Sequence, residues 1–331
     1  MYRKLLFISF FIFINLITLN IHAYPQPINE QGITEIQVEV IVLDLEEVNS
    51  ADQNFTANVY FLYQWHDKTL AHAGKENTRK SINDIWHPSF QILNQQRIWE
   101  TLDNVVEISP EGDVFYQQRV WGSFSQPLDL ANFPFDVHTL HITIVPVAYT
   151  VNDSIKFLQH SAHPSVVAKE LSIPDWSVLS YDSKSSYYQP LPEMAKTPAF
   201  TFTFEIERHS GYYMVKIILP LMLIVFMSWI VFWIDPKDTG TQIAVAVTSM
   251  LTLIAYRFSL GEILPKISYL TNLDILILGS TILVFASLIE VVYTSFLAKN
   301  KKLSKARTID KSCRWTFSFL YLVLILVTIY S

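Results

Sequence analysis

The chain lacks a second cysteine. Cys313 is the only one among 331 residues, so no intrachain disulfide can form and no cysteine metal cluster can be assembled. It also lacks the short motifs that carry catalysis. There is no P-loop, no Gly-x-Ser-x-Gly, no His-Glu-x-x-His and no dinucleotide-binding glycine pattern. Scattered Ser, His and Asp residues do not make an enzyme, and no cofactor or metal is expected. Between residues 24 and 210 basic residues are scarce: 11 Lys+Arg stand against 24 Asp+Glu, an excess of 13 acids. Nucleic acid is thereby excluded as a partner, because phosphates need a basic face. An acidic excess suits the attraction of cations, and it equally suits an ordinary solvated surface.

What the chain has in quantity is apolar residues, half of the total, and they are unevenly placed. Residues 24–210 read as a soluble domain and 211–331 as membrane. The first 23 residues read as a secretory signal, with Arg3 and Lys4 at the positive end, an apolar run over 5–19 and Ala23 before the cut. An uncleaved anchor is the alternative. In the soluble part, 33–48 and 55–65 alternate with period two, through Ile36, Val38, Val40 and Val42, then Phe55, Ala57, Val59, Phe61, Tyr63 and Trp65. Further strand-like runs cover 97–107, 113–124, 137–147, 176–183 and 199–207. Short alternating runs separated by Pro, Asn, Asp and Ser predict an all-β, immunoglobulin-like antiparallel sandwich. A short helical turn is expected near 78–85.

Four apolar segments follow, with spans expected at 212–234, 240–262, 273–298 and 313–331. Pro220 falls inside the first and should kink it or be packed by protein. The connection 299–312 holds Lys299, Lys301, Lys302, Lys305, Arg307 and Lys311 against Asp310 alone. By the positive-inside rule it is cytoplasmic, which puts the soluble domain and the C-terminus outside. The signal sequence gives the same topology.

The second apolar segment keeps one unusual face. Steps of four and three residues from Ala244 reach Thr248, Leu251, Ala255, Phe258 and Glu262. That spacing is helical, and the stripe mixes small, hydroxylated, apolar and acidic side chains. Such a helix suits lining a pore. It suits equally well a buried helix whose small face meets a neighbour, and the segment alone does not choose. Arg257, off the stripe, needs a partner such as Asp274 or Glu262, or a route to the outer interface.

Phe133-Pro134-Phe135-Asp136 lies between two strand-like runs in a β domain that precedes four spans. In this the chain resembles the pentameric ligand-gated ion channels of the Cys-loop receptor superfamily, over nearly its whole mature length. Trp65-His66-Asp67, Trp86-x-Pro88 with Asn94, Glu47-Val48-Asn49, Arg208 and Leu264-Pro265 fall in register with family motifs. Gln126 and Leu140 stand where animal members carry the bracketing cysteines. The missing disulfide and the short basic linker resemble prokaryotic members. The resemblance implies a homopentamer of four further identical subunits around a central pore, in a bacterial inner membrane, with the large domain outside.

It also implies roles. Ala244, Thr248, Leu251, Ala255, Phe258 and Glu262 become pore rings, with Leu251 and Phe258 as apolar gates and permeating cations as the cargo. Glu262 and Asp238 are the selectivity candidates, while Gly240 stands near an expected inner charge. Apolar rings block ions by dewetting, and carboxylate rings favour cations. For Thr248, a hydroxyl offered to the ion and a backbone hydrogen bond are equal readings. The agonist box maps onto Tyr60, Arg119, Trp121, Tyr149, Tyr181, Tyr187 and Tyr188, with Val147 where a tryptophan is typical. Each aromatic suits packing as well as ligand contact. Eight histidines between 24 and 210 make protons a second candidate stimulus beside a small-molecule agonist. The pair His138-x-x-His141 falls on opposite strand faces and is discounted as a metal site. Coupling maps onto Glu47, Asp136, Arg208 and Pro265, with Arg208 expected between two carboxylates. The rival to a ligand- or pH-gated channel is a membrane-anchored sensor that binds ligand without conducting.

Overall fold

A computed structural model describes residues 24–147, 154–261 and 267–330. The expected signal over 1–23, and with it Tyr149, Glu262 and Pro265, lie outside the described residues.

Two sheets build the N-terminal domain. The strands are β1 (Thr34–Asn49), β2 (Asn54–His66), β3 (Thr78–Ser81), β4 (Phe90–Ile92), β5 (Gln95–Glu100) and β6 (Val105–Ile108). They continue with β7 (Asp113–Ser125), β8 (Val137–Pro146), β9 (Ile155–Gln159), β10 (Val166–Val167), β11 (Trp176–Tyr188) and β12 (Thr197–Arg208). The larger sheet runs β10-β1-β2-β7-β6-β3, with β5 on β7 and β9 on β1; the smaller runs β11-β12-β8-β4. Alternation explains the stacking. Val38, Val40, Val42, Phe55, Ala57 and Val59 point inward from one sheet, and Leu140, Ile142, Phe200, Phe202 and Phe204 from the other, all of them buried. Phe55 stitches the layers, stacking on Phe124 at 5.2 Å within its own sheet and meeting Phe204 edge-on at 5.8 Å across the core.

The run at 97–107 is two strands rather than one, because the chain turns at 101–104 and β5 and β6 pair separately with β7. The segment near 78–85 is β3 followed by a single 3-10 turn at Ile82–Asp84. The very short β4, β9 and β10 carry too few residues to show a period. Asn94 bonds across the strands that the two sheets bring together: its amide donates to the carbonyls of Ser125 and His141, at 3.1 and 2.8 Å. Where a disulfide would close the 126–140 loop, the buried Gln126 side chain accepts from the His141 amide at 3.2 Å. A hydrogen bond therefore ties the base of the loop.

Four helices follow, long and apolar enough to cross a membrane: α1 (Gly211–Trp233), α2 (Thr239–Leu260), α3 (Asn272–Lys299) and α4 (Leu303–Tyr330). In α1 a π turn at Met214–Ile218 precedes Pro220, where the imino ring removes a helical donor. Helix α4 starts well before the span expected at 313. The basic stretch 303–311 is its first turns, and only the short segment at 300–302 links it to α3. Lys and Arg have good helix propensity, so a charge run read as a loop can be helix. Gly279 lets α3 and α4 approach: a Cβ there would sit 2.5 Å from a Leu324 methyl.

Candidate pore and coupling site

Helix α2 has one face committed to its own subunit. Gln242, Ala246, Ser249, Leu253 and Leu260 are buried and recur with helical spacing, so they define a single line against α1 and α3. At 3.6 residues per turn, Ala244, Thr248, Leu251, Ala255 and Phe258 lie roughly 180° away. All five are exposed, Leu251 at 61% and Phe258 at 79%. That face is not covered within the protomer. Ile243, Val247 and Ile254 are likewise exposed on the flank of the stripe.

Several polar groups of this helix and its ends have local partners. The Thr248 hydroxyl donates to the Ala244 carbonyl at 2.7 Å, the backbone alternative. Asp238 is the N-cap of α2, accepting from the Thr241 amide at 3.3 Å and its hydroxyl at 2.7 Å, which suits the positive end of the helix. Asp274 is taken by a capping box with Thr271 rather than by Arg257. Arg257 is exposed and lines a 260 Å³ groove with Ile254 and Phe258.

Above the helices lies a buried ionic cluster. Arg208 ends β12, and Asp136 follows the Phe133-Pro134-Phe135 turn. Their side chains are 6% and 2% exposed. The guanidinium donates from Nε to Asp136 Oδ1 at 2.8 Å and from Nη2 to Oδ2 at 2.9 Å, a bidentate fork. Nη2 also reaches Ser50 Oγ at 3.1 Å. The Arg208 head sits 4.2 Å from the Trp176 ring centre and 5.0 Å from that of Phe133. Burial pushes the Asp136 carboxyl up, but hydrogen bonds from His138 and Arg208 and the Arg208 charge outweigh it and bring it down to about 2.

One expectation is corrected here. Glu47 is exposed and bonds Asn49 at 3.4 Å rather than flanking Arg208. The second titratable partner is His138, whose Nε2 lies 2.6 Å from Asp136 Oδ2. Residues i and i+2 on a strand share a face, so the signal was present in Asp136-x-His138. His138 is buried against Trp176, while His141 points to the opposite face.

The same turn grips the membrane domain. The Asn272 and Leu273 amides at the start of α3 donate to the Ala131 and Phe133 carbonyls, and Tyr269 accepts from the Leu130 amide at 2.8 Å. Phe133 meets Tyr213 of α1 edge-on at 4.8 Å. The ionic cluster, the turn and two helices are thus in direct contact.

The box candidates divide into two groups. Tyr60, Arg119 and Trp121 lie on the outer face of the larger sheet, Tyr60 in register with Arg119. Arg119 donates to Asn58 Oδ1 at 2.9 Å, and Trp121 donates to Glu46 Oε1 at 2.6 Å. Tyr181, Tyr187 and Tyr188 sit on β11, the edge of the smaller sheet, with Tyr187 60% exposed. Val147 is 58% exposed at the end of β8. Tyr181 helps line a 540 Å³ cavity with Ile173, Trp176 and Val178. The two groups lie on different sheets of the protomer.

Two family models match the chain. The neurotransmitter-gated ion-channel ligand binding domain covers residues 15–210, and the neurotransmitter-gated ion-channel transmembrane region covers residues 217–305.

Proposed function

This chain belongs to the pentameric Cys-loop ligand-gated ion-channel superfamily, a non-enzymatic family of membrane channels, and on that premise we propose that it forms a homopentameric cation channel. Five α2 helices line the pore with Ala244, Thr248, Leu251, Ala255 and Phe258, and Glu262 follows them in the chain. The observation that carries this reading is the exposed stripe of α2, opposite the face that packs in its own subunit. Leu251 and Phe258 form the apolar constrictions, where a dewetted ring stops ions without a plug. Glu262 supplies carboxylates at the outer mouth. Asp238 at the inner end is a capping residue first, and any field it adds is secondary.

The large domain lies outside the cytoplasm, in accord with the basic residues of 299–311 at the α3–α4 end. The stimulus acts there. Separation of the two aromatic groups within one protomer suits a site completed by a neighbour, the β11 tyrosines of one subunit facing Tyr60, Arg119 and Trp121 of the next. Val147 weakens the box for amines. Protons are therefore tested alongside small molecules. Coupling passes through Asp136, Arg208 and the turn that bonds α3.

Single-channel recording from purified protein in a planar bilayer tests the channel. In asymmetric NaCl the reversal potential is expected near the sodium potential; a shift to the chloride potential rejects cation selectivity. Absence of current under every stimulus favours the non-conducting sensor. Macroscopic currents recorded over a wide pH range without ligand separate proton gating from agonist gating.

A further inference from the structure

The inner end of the membrane domain holds two acids that neither the pore nor the junction uses. Glu290 is in α3, and Asp310 is in α4, where it is 2% exposed. Their carboxyl groups face each other within hydrogen-bonding reach. All four oxygens are buried, and among the described residues none has a donor. Two ionised carboxylates cannot satisfy one another, since both only accept.

The charges around the pair are few. Arg314, one turn on in α4, is the cation that acts on Asp310. Its Nε is engaged with the Phe232 carbonyl at 2.9 Å, and its guanidinium lies 5.3 Å from the Trp233 ring centre. Asp235, in the connection between α1 and α2, adds a negative charge that Arg307 already pairs at 2.7 Å. Cys313 is the remaining titratable group beside the pair. Gln242, the buried polar side chain at the inner end of α2, is neutral and donates to the Val231 and Ile234 carbonyls. The lysines of 299–305 make no ion pair with either acid among the described residues.

Two carboxylates with one cation leave a net negative charge in a low-dielectric site within the membrane, which is costly. One proton removes that charge and supplies the missing donor. We propose that Glu290 and Asp310 hold a proton between them and act as a latch that fastens α4 to α3 on the cytoplasmic side. The proton exchanges with water at the inner surface, and no other bond forms or breaks. Alkaline conditions remove it, the two anions repel, and the inner end of α4 loosens. The orientation, not the latch itself, rests on the proposed topology.

Cys313 provides the readout, being the sole cysteine and half-buried beside the pair. In Glu290→Gln the amide is a permanent donor to Asp310, so the latch stays closed at any pH. Maleimide labelling of Cys313 in the purified full-length protein is compared between parent and Glu290→Gln at about pH 6 and about pH 9. Equal rates are expected at the lower pH, and labelling about fivefold faster in the parent at the higher one; the Glu290 charge disfavours the neighbouring thiolate, so its loss in the variant by itself acts in the opposite direction and cannot produce this difference. Identical profiles overturn the proposal. Should Glu290→Gln fail to assemble, Asp310→Asn gives the same comparison with the donor on the other helix. The parent's melting temperature should fall over this pH interval while the variant's stays level; parallel melting curves also count against the latch. Labelling does not depend on conduction, so failure of the channel reading shows separately, as absence of current in every variant.

Discussion

Replacing Arg208 with alanine tests the junction most directly. The substitution removes both hydrogen bonds to Asp136, the contact with Ser50 and the cover over Trp176. Asp136, 2% exposed, keeps His138 alone. Leaving one member of a buried ion pair behind costs about 3–5 kcal/mol, because the remaining charge loses its compensation. For a domain of about 150–250 residues each kcal/mol moves the melting temperature by about 2–4 °C, so the N-terminal domain of Arg208→Ala should melt roughly 6–20 °C lower. Arg208→Lys keeps a charge but not the fork or the planar stack, and is expected to recover less than half of the loss. Differential scanning fluorimetry of the full-length protein in detergent reads the melting; agonist- or pH-evoked current per assembled pentamer reads the coupling. A variant Arg208→Ala that melts within about 2 °C of the parent and conducts normally refutes the argument. Full rescue by lysine shows that charge alone matters and removes the bidentate geometry from it.

The pH dependence follows from the same residues. The Asp136 carboxyl lies at about 2 in the folded chain against an ordinary 3.8, and a depressed acid stabilises above its unfolded value and ceases to do so as pH falls through its folded value. At about 1.4 kcal/mol per pH unit this is about 2 kcal/mol. It is present at pH 5 and lost between about pH 4 and about pH 2. Acid unfolding of Asp136→Asn should show no such component; an unchanged acid profile counts against it. In the pore, Leu251→Ser hydrates the constriction. Removing apolar surface worth about 1.5–3 kcal/mol should shift the closed–open ratio about ten- to hundredfold toward open, and an unaltered dose–response or pH–response curve contradicts the gate assignment. At the α3–α4 contact, Gly279→Ala should be tolerated by rotation of Leu324. Gly279→Leu should cost about 1–3 kcal/mol by overpacking; equal thermal stability of the two variants rejects the close approach seen at Leu324.

Much of this molecule is legible in its order of residues. Period-two alternation in 34–66 marks β1 and β2 because one face of each strand must be buried, and four long apolar runs mark α1 to α4 because a bilayer accepts little else. The stripe of α2 is legible as a helical face. Its meaning is not, since exposure and packing give the same spacing. Folding adds that Gln242, Ala246, Ser249, Leu253 and Leu260 are buried in the protomer while the opposite side is bare, which supports the proposed pore face. The first turns of α4 are not legible in the sequence, because charge in 303–311 hides helix from a hydropathy reading.

The ionic contacts belong to the tertiary structure. In the sequence Glu47 is the expected second carboxylate beside Arg208, but the fold leaves Glu47 at the surface and sets His138 against Asp136 instead. Glu290 and Asp310, 20 residues apart in the sequence, carry no joint signal there. They meet because the short link at 300–302 turns α4 back along α3. The sequence determined the layers and the membrane helices, since each rests on a local period of apolar residues. Which charges face one another was decided only by folding, because such contacts join segments whose separation no local pattern encodes.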